Sequence, residues 1–192
     1  RVITHNKIYG ATEIFLEEQL PGFGIGVEWA DLTELSQLER ALSLPAKALF
    51  IECPANPLVE VIDIPEAAKM AHAKGLTVIV DNSWASPYVM RPLELGADLV
   101  ASSASKYVGH NEAMGGYVTG KSELVSQVNN YMLTNGGVMA PFNAMLTMLG
   151  LKTLHVRMER HCRNAMEVAK FLEGHSKVLK LSLIHISEPT RP

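Results

Sequence analysis

An acid and an amine at the ends of two neighbouring apolar runs are the residues in this sequence best suited to chemistry. The run Leu76 to Val80 stops abruptly at Asp81, and a second run, Asp98 to Ala101, empties into a small-residue loop that carries Lys106. Short apolar runs rich in β-branched residues are read as strands, and in an open α/β sheet the carboxyl ends of strands are where ligands bind. A lysine there can form a Schiff base with an aldehyde, and a carboxylate can keep a pyridine nitrogen protonated. Taken singly, each has a plainer reading. A loop lysine is a solvated surface group, and Asp81 is a strand-end turn or cap residue.

The elements that position the pair follow from periodicity. Arg1 to Ile3 reads as a strand already under way, and Glu13 to Leu20 as a short helix ending at Pro21-Gly22. The glycines from Gly22 to Gly26 precede a strand-like segment instead of following one, and the full GxGxxG is absent, so they mark a turn and not a nucleotide loop. Asp31 or Thr33 caps a helix running to about Leu42, with Leu35, Leu38 and Leu42 on its core face. Lys47 to Glu52 is a strand whose consecutive apolar residues suit a sheet covered on both faces. Asp63 caps the next helix, Pro65 occupies its first turn and Gly75 closes it before the strand that delivers Asp81. Strand, helix, strand is the βαβ crossover of parallel sheets. Arg91 to Gly96 is a second, shorter crossover. Beyond the lysine loop come a strand within Gly115 to Gly120, a helix from Lys121 to Leu133 and a turn at Asn135 to Gly137. A helix from Pro141 to about Leu149 follows, then a long amphipathic helix from Lys152 to Glu173 repeating Met158, Cys162, Ala165, Ala169 and Leu172 at threes and fours. The fold class is α/β, a mostly parallel sheet with flanking helices.

Composition narrows the function classes. The 192 residues, 47% hydrophobic and 19% charged, are enough for one well-buried globular domain. Basic and acidic residues number 17 and 20, with no basic block to track a phosphate backbone, so no nucleic-acid partner is expected. No apolar run reaches a membrane span and the first residues lack a signal-peptide layout, which makes the cytoplasm the expected compartment. Cys53 and Cys162 have no CxxC spacing and read as free thiols. The 7 histidines form no HxxxH or HExxH pattern, so no metal site is expected.

The stretches DNSWASPY, RPLELGAD, SASKY and GGYVTG, in this order, resemble the Cys/Met-metabolism family of pyridoxal-phosphate enzymes. That family includes cystathionine γ-synthase, the cystathionine lyases, methionine γ-lyase and the homoserine-ester sulfhydrylases. The resemblance implies the large domain of a fold-type I enzyme, with pyridoxal 5'-phosphate (PLP) as cofactor, an amino-acid substrate and homo-tetrameric assembly. It implies that Lys106 carries the cofactor as a Schiff base and, once released, moves protons at the substrate α-carbon. Asp81 would keep the ring nitrogen protonated, and Tyr9, from the IYGAT segment, would stack on the ring and act as acid or base. Asn56 would donate to the ring oxygen, in a CPANP segment similar to the family's E-[ST]-P-x-N-P; here Cys53 replaces the hydroxyl residue. Ser103 and Ser105 would hold the phosphate. Without the resemblance, Tyr9 is a core or rim tyrosine, Asn56 a turn residue between prolines and the serine cluster a loop.

The segments GLKTL, RMERHCRNA and VAKFLEGH resemble the family's bridge to a small C-terminal domain. The implied organisation is residues 1–150 as a partial PLP-binding domain, 151–174 as the bridge, and 181–192 as a non-native tail outside the resemblance. The implied chemistry is transsulfuration on sulfur amino acids or homoserine esters, by γ-replacement of the cystathionine γ-synthase type; cystathionine β- or γ-lyase chemistry is the alternative. Ala11, where methionine γ-lyases commonly carry cysteine, weighs against that branch. The family's upstream phosphate loop and C-terminal carboxylate-binding arginine have no counterpart here, so the polypeptide alone is expected to be inactive. A chain that acts only through association is the alternative from another class.

Overall fold

Six strands form one sheet, and their order puts a crevice where the chain reverses direction. In the computed structural model, which describes residues 1–179 and 181, the strands are β1 (Val2–His5), β2 (Val27–Ala30), β3 (Ala48–Glu52), β4 (Thr77–Asp81), β5 (Leu99–Ser103) and β6 (Gly116–Gly120). Their spatial order is β2-β1-β3-β4-β5-β6, parallel throughout except for the antiparallel pairing of β5 with β6. From β1 the chain moves to β2 on one side and then returns to β3 on the other. The switch point therefore lies between β1 and β3, and parallel α/β sheets bind ligands outside the strand ends at such points. The last residues of β1, β3, β4 and β5 are His5, Glu52, Asp81 and Ser103, so the carboxyl edge is polar although the strands are apolar.

One sheet face is fully covered. Helices α2 (Leu35–Ala41) and α3 (Ile64–Ala73) bring Leu38, Ala41, Ile64, Ala67, Ala68 and Ala71 against Ile3, Leu49, Ile51, Val78 and Val80. The alternate residues Phe50 and Ile79 are only half-buried, so of the two faces expected to be covered one is covered fully and the other in part. Successive strand residues point to opposite faces, and the second core is small: Val108, Leu154 and Met158, with Tyr107 and Tyr117 packed on it.

The Asp63 cap is present, its carboxylate accepting from the Glu66 N–H at 3.1 Å, with Pro65 in the first turn. Several boundaries differ from the sequence expectation. The helical segment after Tyr9 begins at Gly10 as α1 (Gly10–Ile14), continues as a wider turn over Phe15–Gln19 and tightens over Leu20–Phe23, ending at Gly24 with φ 74°. Proline at the start of that last turn lacks only an N–H that would be unpaired anyway, so Pro21 does not end the segment. Asp31 does not cap α2; it binds the Thr33 N–H and hydroxyl, and Glu34 holds the cap position. Leu35, at the helix start, is 41% exposed, so it is not a core residue. Between β4 and β5 lie α4 (Ser86–Val89) and a tight turn over Pro92–Leu95.

After β6 come α5 (Ser122–Asn135) and α6 (Pro141–Glu173), the latter one continuous helix of 33 residues where two were expected. Gly150 does not break it. A β-carbon there would lie 2.2 Å from the Val108 carbonyl oxygen, so glycine is what lets the helix approach the loop after Lys106. Of the expected apolar stripe, Met158 and Ala169 are buried and Ala165 is exposed. The segment 182–192, the main part of the expected tail, lies outside the described residues. Among the described residues, no helix is long and apolar enough to cross a membrane.

Candidate functional site

Each strand of the carboxyl edge hands its next residues to a loop, and four of those loops converge. The one after β1 carries Tyr9, the one after β3 carries Asn56, the one after β4 follows Asp81, and the one after β5 carries Lys106. The Lys106 Nζ lies 5.5 Å from the centroid of the Tyr9 ring, on its face. That is within range of a cation–π attraction. Tyr9 is 48% exposed and Lys106 is exposed, so a flat aromatic surface and an amine face open space together. A cavity of about 180 Å³ adjoins them, lined by Ser83, Trp84, Lys106, Tyr107 and Asn111.

Backbone geometry builds the lysine loop. The Gly109 N–H donates to the Ala104 carbonyl at 2.8 Å and the Asn111 N–H to the Lys106 carbonyl at 3.1 Å. A β-carbon at Gly109 would fall 2.1 Å from the Ala104 oxygen, so the turn closes more tightly than any other residue allows. His110 and Asn111 both have φ 61°, a left-handed conformation uncommon outside glycine. From behind, Arg157 on α6 donates to the Tyr107 carbonyl at 2.6 Å and to the Gly150 carbonyl at 2.7 Å. Burial pulls its guanidinium below its usual pKa. The residue next to Lys106 is thereby tied to the longest helix.

Asp81 joins the loop by way of Ser83. The Ser83 N–H donates to Asp81 Oδ1 at 2.8 Å, and the Ser83 hydroxyl oxygen accepts from the Ser103 N–H at 2.7 Å. The Ser103 hydroxyl oxygen in turn accepts from the Ser105 N–H at 3.2 Å. The Ser105 hydroxyl accepts from the Gly115 N–H at 3.1 Å and donates to the Gly115 carbonyl at 3.4 Å, so here it faces the chain's own backbone.

Glu52 was given no role in the sequence, where it closes a strand and stands at the glutamate position of the segment similar to E-[ST]-P-x-N-P. It is 5% exposed and pairs in register with Asp81 across β3 and β4. Its carboxylate accepts from the Tyr9 N–H at 2.7 Å and from the Asn56 N–H at 2.9 Å. Burial raises the Glu52 carboxyl above its ordinary pKa, those two N–H bonds pull against it, the Asp81 charge adds to the rise and the Lys106 charge opposes it. Glu52 therefore lies within electrostatic reach of both Asp81 and Lys106. Its signal in the sequence was its place at the head of that motif; as a charged residue closing an apolar strand it is otherwise ordinary.

The six residues singled out in the sequence thus share one edge, but only Lys106 lines the cavity. Ser83, Trp84, Tyr107 and Asn111 complete it. Both cysteines are free thiols, and Cys53, buried, donates weakly to the Ile62 carbonyl. Burial pushes the thiols of Cys53 and Cys162 up, which suppresses the reactive thiolate. No group of three metal-binding side chains occurs among the described residues. The donor set fits PLP: an amine for an aldehyde, a strand-end acid, an open aromatic face for a planar ring, and small hydroxyl residues with backbone N–H groups nearby.

Comparison with known proteins agrees in kind. A family profile described as "Cys/Met metabolism PLP-dependent enzyme" matches residues 1–189. An L-methionine gamma-lyase of Pseudomonas putida is 42% identical over 96% of this chain and 46% of its own length. An O-succinylhomoserine sulfhydrylase of Pseudomonas aeruginosa is 39% identical over 90% of this chain and 43% of its own length. The solved structure of a cystathionine gamma-lyase from Lactobacillus plantarum, complexed with L-serine, superposes with a TM-score of 0.90 at 37% identity, covering 94% of this chain and 48% of that one. The chain spans about half the length of the curated relatives it matches.

Proposed function

Because the chain belongs to the Cys/Met metabolism PLP-dependent enzymes, we propose that it forms the cofactor-anchoring part of an enzyme acting on sulfur amino acids or homoserine esters, with Lys106 as the attachment point. The observation that carries this is the Lys106 amine above the open face of Tyr9, on the same sheet edge as Asp81. When bound, PLP supplies an electron sink for bonds broken at and beyond the α-carbon of an amino acid.

The chain's own residues do the rest. Lys106 would hold the cofactor through Nζ, and its amine, when free, would move a proton at the substrate α-carbon. Asp81 would keep a proton on the ring nitrogen. Tyr9 would stack on the ring, and its phenol would act as acid or base. The Asn56 amide would donate to the ring oxygen without adding charge, and the hydroxyls of Ser103 and Ser105 would donate to the phosphate. For that role the Ser105 hydroxyl would have to turn away from Gly115.

We favour γ-replacement of the cystathionine γ-synthase type, with cystathionine lyase chemistry as the alternative; all begin with the same proton removal. Residues 1–150 constitute part of the cofactor domain, and 151–174 lead toward a further domain in the whole protein. Self-association into a homo-tetramer is the partner reading. It is favoured by the apolar side chains exposed on α5 and α6, among them Tyr131, Leu133, Phe142, Met145 and Met148.

Adding PLP to the folded protein tests the anchorage. A yellow band that survives gel filtration and is lost in Lys106→Ala is the expected result. A folded protein that takes up no cofactor refutes the proposal.

A further inference from the structure

A buried carboxylate is costly unless something needs its charge and shape. Glu52, the last residue of β3, is such a group: 5% exposed, yet holding the chain on both sides of the switch point. One oxygen takes the Tyr9 N–H at 2.7 Å, 43 residues away in sequence, and the other takes the Asn56 N–H at 2.9 Å. The Tyr9 carbonyl accepts from the N–H groups of Thr12 and Glu13 at 2.8 and 3.0 Å, so the Tyr9 backbone is held from both ends and its ring is aimed over Lys106.

We infer that Glu52 is a positioning residue, which sets the Tyr9 ring and the Asn56 loop at a fixed separation over Lys106 through the two oxygens of one rigid carboxylate. The inference rests on the proposed PLP anchorage and adds to it a residue whose two carboxylate oxygens are both taken by the chain's own backbone. Two backbone donors need two acceptors. Glutamine offers one oxygen and an NH₂ group, so one N–H would face another donor. Aspartate keeps both oxygens and the charge, but its shorter stem reaches only one of the two N–H groups. A hydrophobic residue would leave both N–H groups unpaired at a largely buried position, each at the cost of a lost hydrogen bond.

The test is PLP binding to the wild-type protein and to Glu52→Gln and Glu52→Asp, read by the yellow absorbance and by its visible circular dichroism. The dichroism reports how the bound ring is oriented and is insensitive to loss of stability elsewhere. Replacing one charge-assisted bond by a donor–donor clash weakens binding about tenfold or more. Both variants are also expected to alter the sign or amplitude of the dichroic band. Should Glu52→Gln not fold, Glu52→Asp carries the comparison, because its charge is unchanged and only the span is lost. Wild-type affinity together with an unchanged dichroic band in a folded variant overturns the inference and leaves the anchorage standing. A folded wild-type protein that binds no PLP overturns both.

Discussion

Alanine at Gly150 is predicted to destabilise the protein, although local helix propensity argues the opposite. Gly150 lies inside α6, where glycine costs roughly 1 kcal/mol relative to alanine. Open space around it would make Gly150→Ala a stabilising change. The added β-carbon would instead lie 2.2 Å from the Val108 oxygen and 3.2 Å from two backbone atoms of Gly109. These are backbone atoms and cannot rotate away. Helix and lysine loop would have to separate by more than an ångström, stretching the Arg157 bonds that join Gly150 to Tyr107. Overpacking of a well-filled contact costs about 1–3 kcal/mol, and the rigid partner puts this one at the upper end. A net loss of about 2 kcal/mol is expected, which in a chain of this size lowers Tm by roughly 4–8 °C. Gly10→Ala is the control: it opens α1, and its β-carbon would meet nothing within 4 Å, so the protein should be unchanged or gain a few tenths of a kcal/mol. Urea and thermal unfolding of both variants decide the matter. If Gly150→Ala is as stable as the wild type or more so, α6 does not lie against the lysine loop and the buttress is wrong.

Arg157→Ala removes charged donors from the Tyr107 and Gly150 carbonyls and is expected to cost about 2 kcal/mol; Arg157→Lys should recover little, since a single ammonium cannot span both carbonyls. Equal urea midpoints for Arg157→Ala and wild type would contradict this. Asp98, just before β5, is buried, which by itself raises its carboxyl, but bonds from Lys121, the Val78 N–H and His72 outweigh burial and hold it below the usual carboxylate range. A depressed native pKa gives stability that is present above the unfolded value, about pH 3.9, and is lost as pH falls through the native value. The stability advantage of wild type over Asp98→Asn should therefore be full near neutrality and shrink in that acid window; a difference independent of pH would refute the assignment.

The parallel sheet and the placement of Asp81 and Lys106 were legible because apolar runs that end in a polar residue mark strand ends irrespective of context. The Asp63 cap was legible for the same reason: its signal is local. Features set by contacts between distant segments were not. Gly150 reads as a helix end in sequence, and only the nearness of Val108 shows it to be a contact point. Glu52 heads the segment similar to E-[ST]-P-x-N-P, but what it holds shows only when the loops after β1 and β3 fold onto it. Leu35 and Ala165 match a helical stripe yet stay exposed, because nothing among the described residues covers that part of either helix. Of the candidate site, the amine and the acid were found from their types at strand ends, and the aromatic only through the family resemblance; the links through Ser83, Glu52 and Arg157 depend on tertiary geometry.

The central claim, that Lys106 is the cofactor's anchor, is tested most directly by incubating the folded protein with PLP, reducing with borohydride and mapping the modified lysine by peptide mass spectrometry. The account predicts a single pyridoxyl group on Lys106, its yield reduced in Asp81→Ala. Label spread over exposed lysines such as Lys69 and Lys121, with Lys106 no more modified than the others, would contradict it.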